Sequence, residues 1–384
     1  MVRADHARAA AARRAVLRWY RQRARELPWR RSKDPYSVWV SEVMLQQTQI
    51  ETVIPYYERF LQEFPTAARL AKAPLERVLE LWSGLGYYRR ARNLHRAAQD
   101  LVLKHGGQFP GDLKQARSLP GVGDYTARAV LSIAYHQPFA VLDGNVARVM
   151  ARFLALRGSL PQPRFRRTLE ENLELLLSRR SPGNFNQALM ELGQTVCLPR
   201  APRCPSCPLR RWCRAFRLHN PEDYPEPRPR RQTEECYLAA AALHGPRGML
   251  MSRGLDDGLL DGLWNFPSAL GPSGSEALAR LKQKLRSGLG TAPPLKEPEH
   301  QLRHSITYRS IHVRIYTGEW SGKAPRDGFR WFQPQGIERA AVSQLTRKIA
   351  RKLADADMAV RRDPYRAARR QAILPNLVAG NNLI

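Results

Sequence analysis

Cys197, Cys204, Cys207 and Cys213 fall within seventeen residues, with six, two and five residues between successive thiols, and the chain has only one other cysteine, Cys236. That spacing predicts a clasp wound around a metal ion or cluster. In a chain of 384 residues with no secretory leader the thiols are expected to be reduced, so ligand roles outweigh a pair of disulfides. No histidine lies between the first and last cysteine, and four thiolates suit structural zinc and a cubane iron-sulfur cluster alike. Arg200, Arg203, Arg210, Arg211 and Arg214 surround the clasp. They either prepare it to touch nucleic acid or offset the charge of the thiolates.

Charge narrows the partner. Sixty-three Lys and Arg against thirty-four Asp and Glu leave a formal charge of +29, far beyond what solubility requires, and point to a polyanion. No apolar run approaches the roughly 20 residues that span a bilayer, so no membrane partner is expected. Residues 1–31 hold ten Arg and two acids, superficially like a transit peptide. The stripe Val16, Leu17, Trp19 and Tyr20 reads instead as a helix of the first domain, and the expected location is a bacterial-type cytoplasm, with the nucleoid.

Along the chain, 3.6-period apolar segments broken by Gly and Pro predict an all-α domain over residues 1–217, with the cysteine loop at 197–213. A Pro-rich, charged linker occupies 218–233. Residues 234–350 read as a smaller α+β domain with strands at Cys236–Leu243, Gly248–Ser252 and Ile311–Thr317 and a helix near Glu276–Leu285. A basic tail is expected over 351–384.

Three places carry chemistry. Leu119-Pro120-Gly121-Val122-Gly123-Asp124-Tyr125-Thr126-Ala127 sits between two helical segments. Gly121 and Gly123 allow positive φ and close backbone approach, so the start of the second helix can grip a phosphate, although any tight αα-turn could read the same way. Glu42 lies in the apolar helix that Asp34 caps, either on a solvated stripe with Ser41 and Gln46 or buried, with its pKa raised enough to donate a proton near neutrality. Asp143 precedes Gly144-Asn145-Val146 as a helix cap, a role compatible with catalysis at the same cleft.

These segments, together with Leu27-Pro28-Trp29-Arg30, Val40 to Gln49, Trp82 to Leu94 and Asn186 to Gly193, resemble the MutY family of adenine DNA glycosylases within the helix-hairpin-helix base-excision superfamily. The resemblance implies a 4Fe-4S cluster on the four cysteines. It implies that adenine mispaired with 8-oxoguanine or guanine in double-stranded DNA is flipped out and removed. Glu42 would protonate N7 of the base, and Asp143 would stabilise the oxocarbenium-like sugar. Tyr125 and Asn145 would orient Asp143 or the attacking water, while Glu191 and Arg30 would contact the substrate. Tyr87 and Gln47 would wedge into the duplex, with a core tyrosine and a surface glutamine as the plain alternatives. In the related endonuclease III family the position of Tyr125 is a lysine that forms a Schiff base and cuts the strand. Tyr125 therefore implies a monofunctional enzyme. A monomer is expected.

Gly258 to Pro267 resembles the Nudix-like C-terminal domain of the same family. The following segment, Ser275 to Lys282, holds one Glu, too few to hold magnesium for hydrolysis. Arg303 to Arg309 stands where that family probes the oxidised guanine with a Phe-Ser-His loop, and Thr307 keeps the hydrogen-bonding position. Three rival readings are a bifunctional glycosylase/lyase, a non-catalytic DNA-binding protein with a structural metal, and a Nudix hydrolase with a DNA-binding appendage.

Overall fold

The computed structural model describes residues 6–227, 232–254, 260, 262–298, 300–306, 308–322 and 328–362, with the side chains of 356–362 left aside. The chain divides into two units, Met1–Arg230 and Arg231–Ile384.

The first unit is helical among its described residues: α1 (His6–Arg23), α2 (Pro35–Leu45), α3 (Ile50–Glu63), α4 (Ala67–Lys72), α5 (Leu75–Trp82), α6 (Arg89–His105), α7 (Leu113–Ser118), α8 (Asp124–Ile133), α9 (Gly144–Leu154), α10 (Pro163–Leu176), α11 (Pro182–Thr195) and α12 (Arg214–Arg217). Helix α1 is part of this domain, but its buried stripe is Ala9, Ala12, Val16 and Tyr20, with Leu17 and Trp19 only half-buried. The i, i+3, i+4 spacing selects those four, and small alanines let the helix lie close. Arg13 then donates to the Leu175 and Leu176 carbonyls, satisfying the end of α10. At α2 the Asp34 carboxylate accepts from the Ser37 N–H at 2.8 Å and Pro35 occupies the first helical position, so the start of this helix is specified locally. Trp39, Phe60, Trp82, Phe153 and Phe185 fill the core.

The second unit contains β1 (Glu234–Gly245), β2 (Gly248–Arg253), β3 (Trp264–Asn265), β4 (Ser268–Gly271), α13 (Gly274–Leu289), β5 (His300–Ile306), β6 (Arg309–Glu319), β7 (Phe329–Phe332), α14 (Pro334–Ile337) and α15 (Gln344–Arg362). The strand order is β3-β2-β1-β6-β5, with β4 on β1 and β7 on β2. Strand β1 pairs parallel with β6 and antiparallel with β2 and β4, so the sheet is mixed. Alternate residues of β1 serve two cores: Leu238, Ala240 and Ala242 pack with Leu345, Ile349 and Leu353 of α15, while Ala239, Ala241 and Leu243 pack with Ala277, Leu281 and Leu285 of α13. Helices thus cover both faces, and the unit is an α/β region instead of the segregated α+β arrangement expected.

Two boundaries move. Arg303–Ile306 is strand, not loop: β5 pairs antiparallel with β6 through Ile306↔Arg309. The supposed boundary between 350 and 351 falls inside α15, because Leu345, Ile349 and Leu353 repeat every four residues against the sheet. Gly258, Leu259, Asp261 and Thr307, and the tail beyond 362, lie outside the described residues.

Candidate active site

Helix α2 carries Glu42 into the interior. The side chain is 6% exposed and its neighbour Ser41 is equally buried, so the solvated-stripe alternative fails. Glu42 faces a small cavity lined by Leu27, Trp29, Ile50, Met190 and Gln194, among others. Burial pushes its carboxyl up to about 7; the Tyr125 hydroxyl, donating to Oε2 at 3.0 Å, pulls it down, and the charge of Asp143 pushes it up again. A carboxyl so placed holds its proton in water-like pH and can give it to a base. Tyr125 itself stays protonated, its pKa raised well above the ordinary value by burial and by the two carboxylates. Its hydroxyl meets Glu42, where the resemblance implied a role in orienting Asp143 or the attacking water. The tyrosine lies near the start of α8, from where the phenol reaches back to α2.

Asp143 caps α9. Its Oδ1 accepts from the Val146 N–H at 2.6 Å and its Oδ2 from the Asn145 side chain at 2.9 Å. Burial raises its pKa, while those donors and the Arg148 guanidinium pull in the opposite direction. Arg148 extends the chain of contacts: it donates to Asn145 Oδ1 at 3.0 Å, to the Gly193 carbonyl at 2.8 Å and to the Cys197 carbonyl at 2.8 Å. One turn later on the same helix Arg152, 2% exposed, donates to Cys197 Sγ and to the Leu198 and Pro199 carbonyls. The helix that presents Asp143 is therefore bolted to the cysteine loop.

All four cysteines line one cavity. Among the described residues no three His, Cys, Asp or Glu side chains are grouped as a single metal ion requires. Burial pushes the Cys207 thiol up to about 12, with its neighbouring sulfurs adding to the effect. Anionic sulfur here would need a cationic metal core to hold it, and the all-thiol donor set fits such a core.

Glu191, 1% exposed on α11, is gripped by two arginines. Arg25 Nε reaches Oε1 at 2.7 Å, and Arg25 Nη2 and Arg30 Nη2 reach Oε2 at 3.0 and 2.8 Å. Burial alone would raise its pKa, but the paired guanidinium groups hold it below the usual range. Arg30 also lines the Glu42 cavity.

In the hairpin between α7 and α8, Gly121 has φ +76, and a Cβ there would stand 2.7 Å from Asn93 Cβ. Only glycine fits. Gly123, by contrast, has φ −83 and open space around a Cβ; its role is as an N-cap that leaves the first amides of α8 free to meet a phosphate. Gln47 and Tyr87 are exposed and both have positive φ, 58 and 49, a conformation that β-carbon-bearing residues rarely hold. One residue holds both. Arg90 donates to the Val43, Met44, Gln46 and Gly86 carbonyls, and its guanidinium lies 5.4 Å from the Tyr87 ring centroid.

Sequence reasoning brought Glu42, Tyr125, Asp143, Asn145, Glu191 and Arg30 to one region and the cysteines to another, and the contacts above join those groups. It missed Arg25, Arg90, Arg148 and Arg152. The four-residue spacing of the last two on α9 was the available signal; among so many arginines it did not stand out.

The chain is similar to known proteins in both sequence and fold. The model of the HhH-GPD superfamily of base excision DNA repair proteins matches residues 40–175. The adenine DNA glycosylase of Rattus norvegicus is 38% identical over 408 residues, covering 90% of this chain and 78% of the relative. That of Homo sapiens is 35% identical, covering 90% and 74%, and that of Buchnera aphidicola subsp. Acyrthosiphon pisum 33%, covering 78% and 85%. Among solved structures, a thermostable thymine-DNA glycosylase superposes with a TM-score of 0.51 at 27% identity, over 55% of this chain and 98% of the other. With a buried acid, a capped aspartate and a phosphate-ready hairpin in one helical unit, and likeness to these relatives along most of its length, the chain belongs to the adenine DNA glycosylase family.

Proposed function

We propose that this protein is a monofunctional DNA glycosylase that hydrolyses the N-glycosyl bond of adenine mispaired with 8-oxoguanine or guanine in duplex DNA. The observation that carries the reading is Glu42: a buried carboxyl at about 7, bonded to a neutral phenol and facing a cavity walled by Trp29, Leu27, Ile50 and Met190. The hairpin amides and the basic surface hold the backbone, and Gln47 and Tyr87 fill the gap left when adenine swings out, which costs a few kcal/mol of unstacking and unpairing. Glu42 gives its proton to N7. The bond from C1′ to N9 breaks with its electron pair moving into the base, which leaves neutral. Asp143, as the anion, faces the positive sugar, whether through space or through a transient bond. Water then supplies hydroxide to C1′, and its proton returns to Glu42. Arg25 and Arg30 keep Glu191 ionised and fixed, as an acceptor for the exocyclic amine. Tyr125 offers no amine for a Schiff base, so strand cleavage is not part of the reaction.

Cys197, Cys204, Cys207 and Cys213 hold a 4Fe-4S cluster in this reading. All four thiols line one cavity with no histidine among them, a donor set that fits such a cluster, and the family likeness favours it over a single tetrahedral zinc. When bound, the cluster fixes the loop that braces α9. The second unit serves as a Nudix-like reader of the opposite base; α13 carries one acid, Glu276, too few for a magnesium site. The protein acts as a monomer.

The test is release of adenine from duplexes with adenine opposite 8-oxoguanine, guanine, cytosine and thymine. Release opposite the first two alone is expected. Equal release from all four duplexes, or a borohydride-trapped adduct in high yield, would overturn the reading.

A further inference from the structure

A second cavity, of about 730 Å³, adjoins the base pocket and shares Leu27, Trp29, Arg30, Ile133 and Gln187 with it. That volume is in the range of small-molecule sites. Its lining is strongly cationic: Arg25, Arg30, Arg31, Lys33 and Arg180 against one acid, Glu26. Arg25 and Arg30 are engaged by Glu191, but among the described residues Arg31, Lys33 and Arg180 have no acidic partner and all three are exposed at the rim. Lys33 Nζ instead stands 3.4 Å from His136 Nε2.

The start of α11 faces the same space. Ser181 is its N-cap and makes no side-chain capping bond, Pro182 has no N–H, and Gly183 and Asn184 line the cavity. A fourteen-residue helix thus presents its positive end, uncapped, beside three uncompensated cations.

These charges do not belong to the grip on DNA that the hairpin makes. Gly121 and Gly123 stand at the start of α8, whereas Ile133 and His136, which line the cavity, stand at and beyond its end. Ten residues of helix separate the two ends by about 15 Å.

We propose that this cavity is a second anion site that binds an oligophosphate, either an inorganic chain or the phosphates of a nucleotide. The rim cations and the α11 amides meet the phosphoryl oxygens.

The test is calorimetric titration of the full chain, already saturated with duplex DNA, with sodium tripolyphosphate and separately with adenosine triphosphate, without divalent metal. One equivalent of tripolyphosphate is expected to bind with DNA in place. The double variant Lys33→Ala/Arg180→Ala should weaken that binding at least about tenfold, as lost charge-assisted bonds do, with duplex affinity little changed. Asn184→Asp, which sets a negative charge in the first turn of α11, should weaken it independently. Tighter binding of adenosine triphosphate than of tripolyphosphate identifies a nucleotide, and equal binding identifies the phosphate chain alone. Binding that disappears once DNA is present, binding unchanged in both variants, or no binding of either ligand at millimolar concentration overturns the proposal.

Discussion

Glu42 shows how one residue couples folding to chemistry. Its carboxyl takes up a proton at about 7 in the folded chain against an ordinary 4.5, so folding binds a proton between those values. The contribution of this residue to stability is therefore fully present below 4.5 and is lost as the pH rises through 7, by about 3 kcal/mol once Glu42 is ionised. Glu42→Gln should abolish excision, retain duplex binding, and raise the melting temperature at pH 8 more than at pH 5; an equal effect at both values would refute the buried-acid account. In the wild type, single-turnover excision should fall roughly tenfold per pH unit above about 7, and fall again on the acid side once Asp143 takes up a proton. Because the Tyr125 hydroxyl lowers the Glu42 pKa, Tyr125→Phe should move the alkaline limb to higher pH, and a limb moved the other way would sink the assignment. Much of this was legible from sequence, since Tyr36 to Leu45 is apolar nearly all round and Asp143 sits directly before a helix. The arginines were not. Arg25 meets Glu191 across 166 positions and Arg90 meets α2 across more than forty, and no local pattern marks such partners in a chain with sixty-three basic residues.

At the scale of elements, the hairpin separates two uses of glycine that look alike in the sequence. Gly121→Ala would force a Cβ against Asn93 in a left-handed conformation, so the melting temperature should fall, by an amount corresponding to roughly 1–3 kcal/mol. Gly123→Ala meets open space and ordinary φ, so stability should hold while duplex affinity falls, because the added methyl crowds the phosphate. Calorimetry and duplex titration of the pair check this, and identical behaviour would remove the distinction. In the second unit, the central strand was visible as a run of small apolar residues. Strand β5 was not, because its alternation is carried by Leu302, His304 and Ile306 against Gln301, Arg303 and Ser305, a half-exposed edge with little hydrophobic contrast. Helix α15 was partly concealed by Arg347, Lys348, Arg351 and Lys352, which stand between Leu345, Ile349 and Leu353 in the sequence.

For the whole molecule, the clasp and the catalytic helix stand or fall together. Arg148 and Arg152 tie α9 to the backbone of Cys197, Leu198 and Pro199, so replacing a ligand should disturb Asp143 as well as the loop. The protein should be brown with a broad band near 400 nm (approximately, as iron-thiolate charge transfer gives), and Cys213→Ser should lose that colour and excision together. Colour lost with excision intact would break the proposed link. The charge of +29 predicts duplex affinity that falls steeply with salt, as a titration between 50 and 200 mM salt would show. Fold class was legible at this scale because the helical half is built from local periodicities; the mixed sheet was not, because the parallel pairing of β1 with β6 joins residues 75 positions apart, as in Glu234↔Arg309.

The two left-handed turns stapled by Arg90 bear on how this protein searches. Gln47 and Tyr87 are already forced into shape before any duplex arrives, so the conformational penalty is settled when the polypeptide matures and not at each encounter. In the wedging role proposed for these two residues, a duplex would meet a probe whose shape is already set. Relaxing those turns should yield a hardier protein that patrols the genome less well.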